Sequence, residues 1–153
     1  MSKSTKMSNK LTYERDFVAW AEKQAQLLEQ HRWAELDLAN LVEEIRDLGK
    51  RERDQLLSSL RLIVQHLLKW QYQSENRSKS WENTIARERD NIADYLEDAP
   101  SLKRIFEARE AIATCYRRAR RDAARETGLN TLPEQNPYTI EQLLDKNFLP
   151  WHC

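Results

Sequence analysis

Apolar residues recur along this chain at steps of three and four with no sustained alternation, a pattern that predicts helices throughout and no sheet. The first helix is expected to start after Thr12 and run to about His31, with Tyr13, Phe17, Trp20, Gln24, Leu27 and Leu28 on one face. The second, from about Glu35 to Tyr72, carries a stripe from Leu38, Leu41, Val42, Ile45 and Leu48 through Leu56, Leu60, Ile63 and Leu67 to Trp70, with a bend expected at Gly49. The third opens at Ser78 or Ser80, either of which can cap it, and reaches about Glu97 with Trp81, Ile85, Ile92 and Tyr95 inward. Pro100 suits the first turn of the fourth, which is expected to end at Thr127 because Gly128 fits the left-handed position after a helix. Thr139 and Gln142 then form a capping box for a short last helix, with Tyr138 and Leu143 placed as its hydrophobic staple. The expected fold is all-α: a single-domain bundle of about four main helices plus a short C-terminal helix over residues 12–153, after a disordered tail of residues 1–11.

Length agrees with one domain, since a chain of 153 residues can bury a real core without staples. Twenty-five basic residues balance 25 acidic ones, so the overall field recruits neither nucleic acid nor membrane and any electrostatic function must be local. The two cysteines, Cys115 within a helical pattern and Cys153 at the end, are poor material for a disulfide framework. The first ten residues contain lysines but no apolar core of a signal peptide, and no stretch approaches the length of a membrane span. A cytoplasmic protein without membrane contact is expected.

Several polar residues fall within the apolar stripes: Gln24, His31, Glu52, Glu88, Arg109 and Arg120. A carboxylate facing a core is costly unless paired, so Glu52 and Glu88 are expected in a buried polar network with Arg89, Arg109 or Arg77 as partners. A rarer arrangement would use Glu52, Glu88 and His66 for metal binding or proton transfer. The ligand motifs for that chemistry are missing: there is no Glu-x-x-His or His-Glu-x-x-His pair and no close Cys/His spacing, so no metal site is assigned. Neither a nucleophile elbow nor a phosphate or dinucleotide loop can be assembled from two glycines, so no catalytic residue and no cofactor is assigned.

Two segments carry local chemistry. Arg77-Ser-Lys-Ser-Trp81 places two cations and two hydroxyls at a helix N-terminus, where an anion is favoured; with His66 it forms a candidate ligand site of His66, Arg77, Ser78, Ser80 and Trp81. The structural alternative is that one serine caps, Arg77 reaches back to Glu43 or Glu44, Trp81 anchors the core and His66 is an ordinary bundle histidine. The run Tyr116–Arg125 has five arginines against one acid, and Arg117, Arg118, Arg121 and Arg125 are candidate contacts to a phosphate backbone.

Taken together, Tyr13-x-x-Asp-Phe-x-x-Trp20, Leu36-Asp-x-x-Asn-Leu-x-Glu-Glu-Ile45, Leu48-Gly, His66-Leu-Leu-Lys-Trp70, Arg77-Ser-x-Ser-Trp81, Thr84-Ile85, Pro100-Ser-Leu102, Glu126-Thr-Gly-Leu129 and Pro137-Tyr-Thr139 resemble the bacterial family called domain of unknown function 29, over nearly all of residues 13–151. The resemblance implies an all-helical cytoplasmic domain and supplies no catalytic role. Glu88 stands where that pattern leads one to expect a glutamine next to Arg89. Three function classes follow. The leading one is a protein-interaction or regulatory module that binds a protein partner through an exposed groove. The second is a nucleic-acid-associated accessory protein that uses the arginine helix. The third is a small ligand-binding protein or metal-dependent enzyme with a pocket around Glu52, His66 and Arg77.

Overall fold

The computed structural model describes residues 12–151 and is all-α, with no strand among the described residues. Residues 12–15 form one helical turn, followed by α1 (Phe17–Glu29), α2 (Leu38–Tyr72), α3 (Lys79–Asp98), α4 (Arg109–Thr127) and the short α5 (Ile140–Leu144). Short 3₁₀ segments occupy Trp33–Glu35, Ser74–Asn76 and Pro100–Glu107. The expected tail, residues 1–11, lies outside the described residues, as do His152 and Cys153. The residues pack as two compact units, one ending at Lys50 and the other beginning at Arg51, so the division falls within α2 just after Gly49.

In the first unit, the helix expected from Thr12 is interrupted at Asp16. Its backbone is non-helical (φ −144°, ψ 84°) and its carboxylate accepts the Ala19 N–H, which makes it the N-cap of α1. The other end of α1 closes in a Schellman motif: the Arg32 N–H reaches the Leu27 carbonyl and the His31 N–H reaches that of Leu28. His31 adopts a positive φ of 58° there, so this stripe position is a helix stop rather than a buried site. Among the described residues of this unit, Trp20, Gln24 and Leu27 are buried. The Trp20 Nε1–H donates to Asp37 Oδ2 at 2.9 Å, and Gln24 Oε1 accepts the Asp37 N–H at 2.8 Å. Those two bonds hold Asp37, which precedes α2, so α2 begins at Leu38 rather than near Glu35.

The second unit contains the main bundle. From Leu56 to Lys69, α2 is buried on almost every side, its stripe of Leu56, Leu60, Ile63 and Leu67 being at most 1% exposed. Around it lie Ile85 and Ile92 of α3, Leu102 and Ile105 of the 3₁₀ segment, and Cys115, Tyr116, Ala119 and Ala123 of α4. Ala119 and Ala123 have no accessible surface; their small side chains let α4 approach the core closely. The 3₁₀ segment packs on both α3 and α4, and α5 packs on α3.

Local end signals act as expected. Ser78 caps α3 by accepting the Trp81 N–H, Gly128 ends α4 at φ 75°, and Thr139 and Gln142 form the reciprocal capping box of α5. The helix expected to run unbroken from Pro100 to Thr127 instead changes at Ala108 from 3₁₀ to α, and Ala108 provides no side-chain cap.

Candidate functional site

The candidate ligand site at the start of α3 is made of structural ties. Ser78 is spent as the cap, and Arg77 donates from Nε to the Trp70 carbonyl (2.8 Å) with its guanidinium 5.0 Å from the Trp70 ring centre. Arg77 therefore turns back to close the α2–α3 connection, and its partner is a carbonyl and a ring rather than Glu43 or Glu44. Trp81 is a platform for Lys69, whose Nζ sits 4.6 Å from the ring centre and 2.7 Å from Glu126 Oε2. Ser80 is exposed and its carbonyl accepts the Thr84 hydroxyl. Lys69 is the residue the sequence reading missed: its side chain is only 9% exposed, yet it lies off the stripe, and periodicity gave no sign of its burial.

His66 borders this cluster and places Nδ1 2.8 Å from the Leu62 carbonyl oxygen, a bond that requires the proton on Nδ1. Burial lowers its pKa, with the charges of Lys69 and Arg87 acting in the same direction against the Leu62 hydrogen bond and Glu126. Lys69 pairing also holds the Glu126 carboxyl below the usual range. A depressed histidine contributes stability that is complete above its unfolded value of about 6.5 and is lost as pH falls through the lower folded value. The urea midpoint is therefore expected to drop as pH falls from 7.5 to 5.5, and His66→Gln to flatten that part of the curve. An unaltered pH profile in the variant would assign the loss to other groups.

The buried network of Glu52, Glu88, Arg89 and Arg109 is not formed. Glu52 and Arg109 are exposed. Glu52 sits on the stripe, but the stripe just before it, at Val42, Ile45 and Leu48, is exposed, so its position there did not bury it. Glu52 and His66 also lie fourteen residues apart on the continuous α2, about 21 Å along the axis, so they share no pocket. Glu88 is buried and accepts from Arg87 Nε (3.3 Å) and Asn91 Nδ2 (3.2 Å). Arg89, 4% exposed, donates not to a carboxylate but to the carbonyls of Leu143 (2.9 Å) and Gln142 (3.1 Å) at the end of α5. Arg120, another stripe cation, likewise donates to a carbonyl, that of Leu132. Among the described residues, no three His, Cys, Asp or Glu side chains gather so that they could hold a metal ion. Burial pushes the Cys115 thiol up to about 11, which leaves it protonated and inert at neutral pH.

Arg117, Arg118, Arg121 and Arg125 are exposed, and none makes an ion pair among the described residues. The one acid of their run, Asp122, pairs with Arg61 of α2 at 2.6 Å, with the charges of Arg121 and Arg125 also acting on it. Two other features are open. The first is a cleft of about 650 Å³ between α4 and the segment that follows it, lined by Arg109, Tyr116, Arg117 and Glu134 among others. The second is the N-terminal part of the α2 stripe, where Leu38 is 61%, Val42 45%, Ile45 65% and Leu48 60% exposed.

Fold and site define a small all-α protein whose buried charges tie helices together and whose available surfaces are a basic helix, a cleft and an uncovered apolar stripe. The chain belongs to the family described as Domain of unknown function DUF29, whose model matches residues 12–149, nearly its whole length. No curated protein and no solved structure matches it. No described helix is long and apolar enough to cross a membrane.

Proposed function

We propose that this protein is a helical docking module that binds an amphipathic helix of a protein partner on the N-terminal part of α2. The observation that carries this reading is the division of one stripe into two fates. From Leu56 to Leu67 it is buried at 0–1% exposure, whereas the equivalent positions Leu38, Val42, Ile45 and Leu48 are 45–65% exposed. Side chains spaced at three and four along a helix form the kind of seam that another helix covers. Arg46 and Lys50, at the Val42 edge of this seam, are exposed and make no ion pair among the described residues, while Glu44 on the other edge is held by the Tyr13 hydroxyl at 2.5 Å. The Val42 edge of the seam is thus cationic, which suits a partner helix with acidic residues along that side of its apolar face. A cytoplasmic location is supported by the buried free thiol of Cys115.

The test is affinity capture of the tagged chain from its own cytoplasm, with nuclease present, beside an Ile45→Lys/Leu48→Lys variant. The wild type is expected to retain a stoichiometric partner and the variant to lose it at an unchanged melting temperature, because both positions are solvated. A partner held equally by both proteins would overturn the reading, and light scattering distinguishes a second copy of this chain as the occupant.

A second reading rests on the exposed arginines of α4, which could follow a phosphate backbone. It requires nuclease-sensitive recovery and a loss on Arg117→Ala/Arg121→Ala that the stripe variant does not share.

A further inference from the structure

We infer that the cleft beside α4 is a binding site for a small organic anion, a carboxylate, sulfonate or phosphate carried on a flat apolar body. Its floor is the face of α4 on which Arg109, Ile112, Tyr116 and Arg117 succeed one another at helical spacing, closed at one end by Phe106. Its far wall is the segment after α4, fixed in place from the floor itself. The Tyr116 hydroxyl donates to the Pro133 carbonyl, and Arg120 donates from Nε (3.2 Å) and Nη2 (3.1 Å) to that of Leu132. Residues that line the cleft therefore also hold its wall, so the space is part of the packed structure and does not wait for a ligand to form it.

The volume, about 650 Å³, lies within the range of small-molecule sites. Chemistry narrows the ligand. Phe106 and Ile112 present an apolar surface suited to a flat body, backed by the buried Tyr116 ring. Arg109 and Arg117 are exposed and form no ion pair among the described residues, leaving two guanidinium forks for an anion, while Arg120 is committed to its carbonyl. Glu134 is the one carboxylate of the lining, so the cleft carries a surplus of two positive charges. It stands on the wall segment and directs the anion toward the α4 side. Arg109 is eight residues from Arg117, about 12 Å along the helix, a span that matches an elongated ligand better than a bare ion.

The experiment titrates the full chain with 1-anilinonaphthalene-8-sulfonate, a flat aromatic anion, and with the neutral N-phenyl-1-naphthylamine as control. Saturable one-site binding of the sulfonate is expected, with the neutral analogue at least tenfold weaker. Arg109→Gln/Arg117→Gln should weaken sulfonate binding at least tenfold at an unchanged melting temperature, and Ala113→Trp, which fills the cleft from an exposed position, should abolish it. The Ile45→Lys/Leu48→Lys variant, which removes the other apolar surface able to take up such a dye, should bind as wild type does. Equal binding of the neutral analogue, retention of affinity in the arginine variant, or loss in the stripe variant would each overturn the assignment.

Discussion

Replacing Trp20 by alanine is expected to melt the N-terminal unit while α2 beyond Leu56, α3 and α4 stay folded. Among its described residues the buried ones are Trp20, Gln24 and Leu27, and the indole is the largest of these side chains. The ring is 2% exposed, meets Tyr13 edge-on at 4.8 Å and lies 5.5 Å from Phe17. Its Nε1–H bonds Asp37, whose N–H is in turn held by Gln24. Loss of a buried tryptophan costs about 3–5 kcal/mol, to which the cavity it leaves contributes. Hydrogen exchange is the check: protection across α1 should fall by about a hundredfold or more, since each 1.4 kcal/mol is a factor of ten. Amides from Leu60 to Leu68 should exchange as in the wild type. Equal loss in both regions would show that the two units unfold together.

The second large effect is expected for Arg89→Met. The guanidinium is buried and donates to the Gln142 and Leu143 carbonyls, which belong to the last turn of α5 where helix carbonyls have no partners of their own. A cation there also meets the negative end of the helix dipole. With five residues, α5 is far too short to persist unaided; it depends on its capping box, on Leu143 at 2% exposure and on Arg89. Methionine keeps the aliphatic stem and removes both bonds, each on the order of 1.5–3 kcal/mol when the donor is charged, and leaves two carbonyls without donors. Relief of burying the charge offsets part of this, since burial lowers the Arg89 pKa. A net loss of about 3 kcal/mol would lower the melting temperature by about 6–12 °C for a chain of this size. The Leu143 and Asp145 amides, which close α5 on Thr139 and Glu141, should lose protection first. An unchanged melting curve would mean that these carbonyls are satisfied without Arg89.

Both predictions concern residues that the sequence placed correctly and partnered incompletely. Trp20 and Gln24 belong to an apolar face that pattern alone identifies, but that they converge on Asp37 depends on how the chain returns after His31. Arg89 stood out as a cation close to the core, with a carboxylate as the expected partner; the partner is the end of a helix more than fifty residues away. Lys69 was passed over because it sits off the stripe. It is buried because α2 runs through the bundle with neighbours on several sides, so that even a lysine there must pair with Glu126 and lie on Trp81. Glu52 shows the opposite error, a residue on the stripe at a place where the stripe is exposed.

What the sequence determined by itself was the all-α class, most helix ends and the apolar faces, as well as the resemblance to the family whose model matches residues 12–149. Those features depend on terms that act within one helical turn: Ser78 accepting an N–H three residues on, Gly128 taking a positive φ, Thr139 and Gln142 capping each other. Only the tertiary structure decided which part of the α2 stripe is buried, what each interior cation binds and where a cleft opens beside α4. Those outcomes turn on which surface a second element covers, and a helical repeat reads the same whether its face meets a core or water.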